Sequence, residues 1–219
     1  MSARARVVAG TAAPPLVRRL GLVAYEPTWR AMQAFNQARD GEARDQVWLL
    51  QHPPVFTLGL AGRREHVLAP GAIPVVATDR GGQVTYHGPG QAVAYVLLDL
   101  RRRALGVREL VRRLEDGLIA TLAAYGIAGH RRAGMPGVYV DDAKIAAIGL
   151  RVARGCSYHG VALNVEMDLE PFTRIDPCGY PGLAATQMAA QGVRASIDAV
   201  QQRLAADLRE ALAAHPSIP

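Results

Sequence analysis

Ile73-Pro-Val-Val-Ala-Thr-Asp-Arg-Gly-Gly-Gln-Val-Thr-Tyr-His-Gly-Pro-Gly-Gln-Ala-Val-Ala-Tyr-Val-Leu-Leu-Asp-Leu100 is the stretch on which the fold turns. Apolar runs with β-branched residues at 73–78 and 93–100 flank a glycine-rich segment, and no helical periodicity separates them. The segment therefore does not open a helix, as a dinucleotide-binding turn would. Similar runs, each bounded by Gly, Pro or Asp, occur upstream at 16–25, 47–50 and 55–58 and downstream at 137–140, 144–152 and 158–165. Helical spacing appears at 27–39, at 107–125 with Leu110, Leu114, Leu118 and Leu122 in register, and at 196–214. In the last of these Ser196 is placed to cap a stripe of Val200, Leu204, Leu208 and Leu212. Strands outnumber helices and do not alternate with them. The pattern predicts an α+β fold, a central mixed, largely antiparallel sheet with packed helices, and not a doubly wound parallel one.

The chain has 219 residues and a formal charge of +6. That length suits a single domain, expected over 16–219 behind a flexible N-terminal tail at 1–15. Cys156 and Cys178 are too few for a disulfide framework or a Cys-rich zinc site, so a cytoplasmic protein without a metal is expected. No run reaches the roughly 18 apolar residues of a membrane span. Among 25 basic residues there is one lysine, Lys144. The densest basic stretch, Arg101, Arg102, Arg103, Arg108, Arg112 and Arg113, has almost no aromatics interleaved, which weakens a nucleic-acid reading. It fits either a solvated helix face or a surface for an acidic partner.

Three loops carry candidate chemistry. In Arg80-Gly-Gly-Gln-Val-Thr-Tyr-His-Gly-Pro-Gly-Gln91 the paired glycines let backbone approach a ligand, and Arg80, Thr85, Tyr86 and His87 supply polar side chains. The same composition also fits a glycine-rich hairpin that only satisfies its own turn. Cys178 sits in Asp176-Pro-Cys-Gly-Tyr-Pro-Gly182, a polar loop of the kind that presents a reachable thiolate. Cys156 reads as a small half-buried residue at a strand entry. Lys144 follows two aspartates at the mouth of a strand; it is either a proton-exchanging amine in a desolvated site or a surface lysine left in an arginine-biased chain. Tyr-His-Gly occurs twice, at 86–88 and 158–160, and both His87 and His159 read more readily as hydrogen-bonded architecture than as catalysts.

Together these residues closely resemble the lipoyl (octanoyl) transferase family. The matching stretches are Arg80-Gly-Gly-x-x-Thr-Tyr-His-x-x-Gly-Gln91, Lys144-Ile-x-x-Ile-Gly149, Tyr158-His-Gly-x-Ala-Leu-Asn-Val165 and Asp176-Pro-Cys-Gly179, in the family's order. The resemblance implies the fold of biotin and lipoate ligase catalytic domains. It also implies octanoyl transfer from octanoyl acyl carrier protein to a lysine of lipoyl domains of 2-oxoacid dehydrogenase complexes or of the glycine cleavage H protein. In that reading Cys178 carries the acyl group as a thioester and Lys144 lowers the pKa of its thiol. Substrate-binding roles pass to Arg80, Gly81, Gly82, Gln83, Val84, Thr85, Tyr86 and His87, and to Ala147, Ile148, Gly149, Gly160, Val161 and Ala162. Asp176 is placed to hold the cysteine loop. A monomer that needs no cofactor, nucleic acid or membrane is implied. The rival is an ATP-dependent lipoate or biotin ligase, which shares the Gly-Gly loop and the lysine but needs no acyl cysteine; Pro177-Cys178-Gly179 separates the two. A cysteine hydrolase using Cys178 with His87 or His159 lacks a local signature.

Overall fold

The computed structural model describes residues 13–176 and 182–213. Cys178 and residues 1–12 of the expected tail lie outside the described residues. Period-two alternation in β2 (Gln46–Gln51), β6 (Gln91–Leu97) and β10 (Cys156–Asn164) gives one sheet two unlike faces. Val47, Leu49, Ala92, Ala94, Val96, Val161 and Leu163 point to one. Trp48, Leu50, Val93, Tyr95, Leu97, Tyr158 and Ala162 point to the other. With β1 (Leu16–Leu22), β7 (His130–Arg132), β8 (Met135–Val140) and β9 (Ala143–Ala153) they form seven strands in the order β1-β2-β6-β10-β9-β8-β7. The β1–β2 pair is parallel and the others are antiparallel, which is the mixed α+β sheet expected.

Helices α2 (Val107–Ala124) and α3 (Ile197–Ala213) cover the first face with their leucine stripes. They cross at Gly117, where a Cβ would stand 2.8 Å from a methyl of Leu208. Ser196 caps α3 as expected, its Oγ accepting the Ala199 N–H at 3.3 Å. Part of the second face is covered by α1 (Tyr25–Ala38) through Met32. A small sheet of β4 (Val75–Ala77), β3 (Val55–Leu58) and β5 (Val84–His87), in the order β4-β3-β5, covers more of it. No helix among the described residues is long and apolar enough to cross a membrane.

Three local departures from the sequence pattern matter. The run at 16–25 ends at Leu22, because Tyr25 opens α1 with its hydroxyl on Thr78 Oγ1 at 3.1 Å. The glycine-rich segment is not all loop: Val84–His87 pairs antiparallel with β3, a partner some thirty residues upstream. Polar His130–Arg132 becomes edge strand β7 by pairing with β8.

Candidate active site

A cavity lies between the second face of the large sheet and the small sheet. Its floor follows from register: Ala147 pairs with Ala162, Ile148 with Val161, and Gly149 with Gly160. Glycine is required at Gly160, where a Cβ would lie 2.1 Å from the Ala94 carbonyl oxygen. Gly82, Gln83, Val84, Thr85 and His87 line the opposite wall. Gln83 Oε1 is buried and has no hydrogen-bond partner among the described residues. Arg80 also lines the cavity, its buried guanidinium donating Nε and Nη2 to Thr57 Oγ1 at 3.1 and 2.8 Å. Gly81 joins the two walls through its N–H to the Leu150 carbonyl at 2.8 Å. Alternation along β5 sends Tyr86 to the far side, where its ring meets Phe56 and Phe172, each at 5.5 Å.

Lys144 stands, nearly buried, in the cavity wall. Its Nζ donates to the Pro136 carbonyl at 3.3 Å and lies 5.3 Å from the Tyr139 ring centroid. The chain that follows the cysteine loop returns beside it: Lys144 N–H donates to Ala184 O at 2.8 Å, and Thr186 N–H to Lys144 O at 3.0 Å. On the other flank the Asp176 N–H donates to His66 O at 2.9 Å, and its carboxylate lies 3.5 Å from His66 Nδ1. Both flanks of 177–181 are thus tied down, Asp176 through its contacts with His66.

Two polar groupings went unnoticed in the sequence. One crosses the cavity from His87 Nδ1 to Gln91 Oε1 (2.7 Å), from Gln91 Nε2 to Asn164 Oδ1 (2.9 Å), and from Asn164 Nδ2 to Thr186 O (2.9 Å). The second gathers on Asp79, which accepts from Trp29 Nε1 at 2.8 Å, Gln33 Nε2 at 3.1 Å and the Tyr158 hydroxyl, and pairs with His159 Nε2 at 2.9 Å. Burial opposes ionisation of Asp79, but the hydrogen bonds from His159, Tyr158 and Gln33 outweigh it and hold the carboxyl well below the usual range. Their only sequence signals are a Gln and an Asn near the ends of two glycine-bearing motifs and an Asp beside Arg80.

The two Tyr-His-Gly copies are used differently. In β5 Tyr86 and His87 face opposite ways. In β10 His159 has φ +60, a left-handed conformation that breaks the alternation and brings its ring onto Tyr158 at 5.1 Å, so both reach Asp79. Burial lowers the pKa of His159, pushes His52 down to about 4, and, with the neighbouring His52 charge, pushes His87 down to about 3. His52 Nδ1 therefore carries the proton it donates to Val23 O at 2.6 Å, and Nε2 accepts from the Tyr95 hydroxyl at 2.7 Å. Each of the three is hydrogen-bonded within the fold, His52 to Val23, His87 to Gln91 and His159 to Asp79.

Cys156 opens β10, buried, and burial pushes its thiol up. Part of the basic stretch is engaged internally, while Arg101, Arg108 and Arg112 are exposed. Arg102 and Arg103, with Arg39, enclose the buried Asp45 carboxylate, and Arg113 is buried against Glu109. Burial raises the Asp45 pKa, but the Asp99 N–H and the arginines bring it below its ordinary value.

Residues 24–209 match the lipoyl protein ligase A/B catalytic domain. The chain belongs to that family. Within it, the octanoyltransferase of Thiobacillus denitrificans is 61% identical over 197 residues, 90% of each chain. That of Hahella chejuensis is 66% identical over 173 residues, 79% of this chain and 77% of its own. The fold extends to more distant proteins: a putative lipoate protein ligase from T. acidophilum superposes with TM-score 0.73 at 15% identity, covering 91% of this chain and 86% of that one. The biotin protein ligase of Aquifex aeolicus, with biotin and ATP, does so at 0.56 and 13%, covering 90% and 70%.

Proposed function

We propose that this protein is an octanoyltransferase that moves the octanoyl group of octanoyl acyl carrier protein to a specific lysine of lipoyl domains, through a thioester on Cys178. The observation that carries the reading is 61% identity to an octanoyltransferase over 90% of both chains. The cavity supports it: Lys144 stands in the wall beside a floor of small residues. An alkyl chain laid along Ala147, Gly149, Gly160 and Ala162 loses its water, at about 0.8 kcal/mol per buried CH₂. Acceptors are lipoyl domains of 2-oxoacid dehydrogenase complexes and the glycine cleavage H protein. Residues 16–219 act as one catalytic domain, monomeric and cytoplasmic.

In the first half-reaction the Cys178 thiolate attacks the donor's thioester carbonyl; a new C–S bond forms, and the carrier's sulfur leaves and takes a proton. In the second, the acceptor lysine's amine attacks the Cys178 thioester, an amide forms, and the amine's proton goes to the departing Cys178 sulfur. Splitting the transfer lets one site serve two protein substrates in turn. Lys144 supplies positive charge that favours the thiolate; the Pro136 carbonyl and the Tyr139 ring face both suit an ammonium.

Incubating the protein with octanoyl acyl carrier protein, without ATP, is expected to add one octanoyl mass to Cys178. Cys178→Ser should take up no thioester, and Cys156→Ser should acylate at close to the wild-type rate. No adduct, together with ATP-dependent modification of a lipoyl domain, would make the protein a ligase.

A further inference from the structure

Glu115 is a carboxylate in the middle of α2, beside the stripe of Leu114, Leu118 and Leu122, and only 7% of it is exposed. A helix that needed only to pack would carry an apolar residue here, since burying an unpaired carboxylate is costly. Its two oxygens are both used. Oε2 accepts from Arg131 Nε at 2.9 Å, and Oε1 accepts the Gly137 N–H at 3.1 Å. That N–H belongs to the peptide unit whose carbonyl is Pro136 O, the acceptor of Lys144 Nζ at 3.3 Å. One planar peptide therefore has the Glu115 carboxylate at its N–H end and the Lys144 ammonium at its C=O end.

Hydrogen bonds at the two ends of an amide polarise one another, so a negative charge on the N–H side strengthens the carbonyl as an acceptor. Gly137 adopts φ +130 to present this peptide, and a Cβ there would lie 2.6 Å from Ala146 O and 3.4 Å from Lys144 Cε. We propose that Glu115 is a positioning residue for Lys144, acting through the Pro136–Gly137 peptide to hold the ammonium at the cavity. The proposal rests on the reading of Lys144 as the cation that serves Cys178. Among the described residues, other charged and titratable groups on this side are Arg131, which partly neutralises Glu115 and also pairs with Asp116, Tyr139 under the Lys144 nitrogen, and Arg132, 4.8 Å from the same ring and paired with Asp142.

Because Lys144 is the only lysine, protein labelled with ¹³C at lysine Cε gives a single lysine signal whose pH titration reads this ammonium directly, with no substrate present. Glu115→Gln keeps an acceptor for the Gly137 N–H but removes the charge. Its Lys144 signal is expected to titrate about 0.5–1 pH unit lower than wild type. Thioester formation with octanoyl acyl carrier protein should slow about 5- to 50-fold at unchanged donor KM, and its pH profile should shift the same way. Arg131→Met leaves the carboxylate less neutralised and should move the Lys144 titration upward; this variant serves if Glu115→Gln does not fold. An unchanged lysine titration in either folded variant would overturn the proposal. A shifted titration with no octanoyl adduct even in wild type would instead uphold the Glu115–Lys144 coupling and refute the transferase reading.

Discussion

On the side of the large sheet that meets α2 and α3, Leu110, Leu114, Leu118 and Leu122 interlock with Val200, Leu204, Leu208 and Leu212. On the opposite side the same strands present Gln91, Tyr95, Gly160, Ala162 and Asn164, held by hydrogen bonds and by glycines where backbones approach closely. The first side gains stability from close-packed aliphatic volume; the second gives up volume to leave a cavity and fills its margins with satisfied polar groups. Strand alternation separates these tasks residue by residue, so changes on the two sides should show up in different measurements.

The largest effect should come from the cavity side. Lys144→Arg keeps the charge but replaces the compact ammonium seated on the Pro136 carbonyl with a larger planar guanidinium, and thioester formation is expected to fall about 100-fold or more with little change in unfolding midpoint. Near-wild-type acylation would show that a fixed charge suffices. Leu114→Ala, on the helix side, should cost about 2–5 kcal/mol in urea unfolding while acylation per folded molecule stays within about twofold. Ala147→Leu is its counterpart. By occupying the floor it should slow transfer from an octanoyl donor about 10-fold more than from a butyryl donor, at a stability cost below about 1.5 kcal/mol. If Leu114→Ala altered acyl preference, or Ala147→Leu only stability, the separation between the sides would fail.

A separate effect concerns acid. His52 and His87 bind protons in the unfolded chain near pH 6.5 but in the fold only near about 4 and about 3. Between those values the unfolded state holds more protons, so stability is full at neutral pH and falls as pH drops below about 6.5, by up to about 1.4 kcal/mol per unit for each histidine. Urea midpoints at pH 7, 6 and 5 should show the decline, and His87→Gln should flatten it. A level profile would mean that neither histidine is held neutral.

Much of this was readable in advance because it is local. Period-two runs and leucine stripes report burial on one face of one element, so the strands other than β5 and β7, the three helices, the Ser196 cap and the motif order could be read from the chain alone. Six of the basic residues illustrate the limit: a run of arginines around α2 reads as surface, yet Arg102 and Arg103 reach across to Asp45, 57 and 58 positions away. Arg132 similarly leaves its strand to meet Asp142.

By itself, then, the sequence determined the α+β class, the family motifs and the singling out of Lys144 and Cys178. Only the tertiary structure decided that Val84–His87 joins a second sheet, that the two Tyr-His-Gly copies diverge through the left-handed His159, and that Glu115 reaches Lys144 through a shared peptide. The physical reason is range. Periodicity encodes which way a side chain faces, whereas a hydrogen-bond partner is set by the register of strands and helices that meet only when the whole chain has folded.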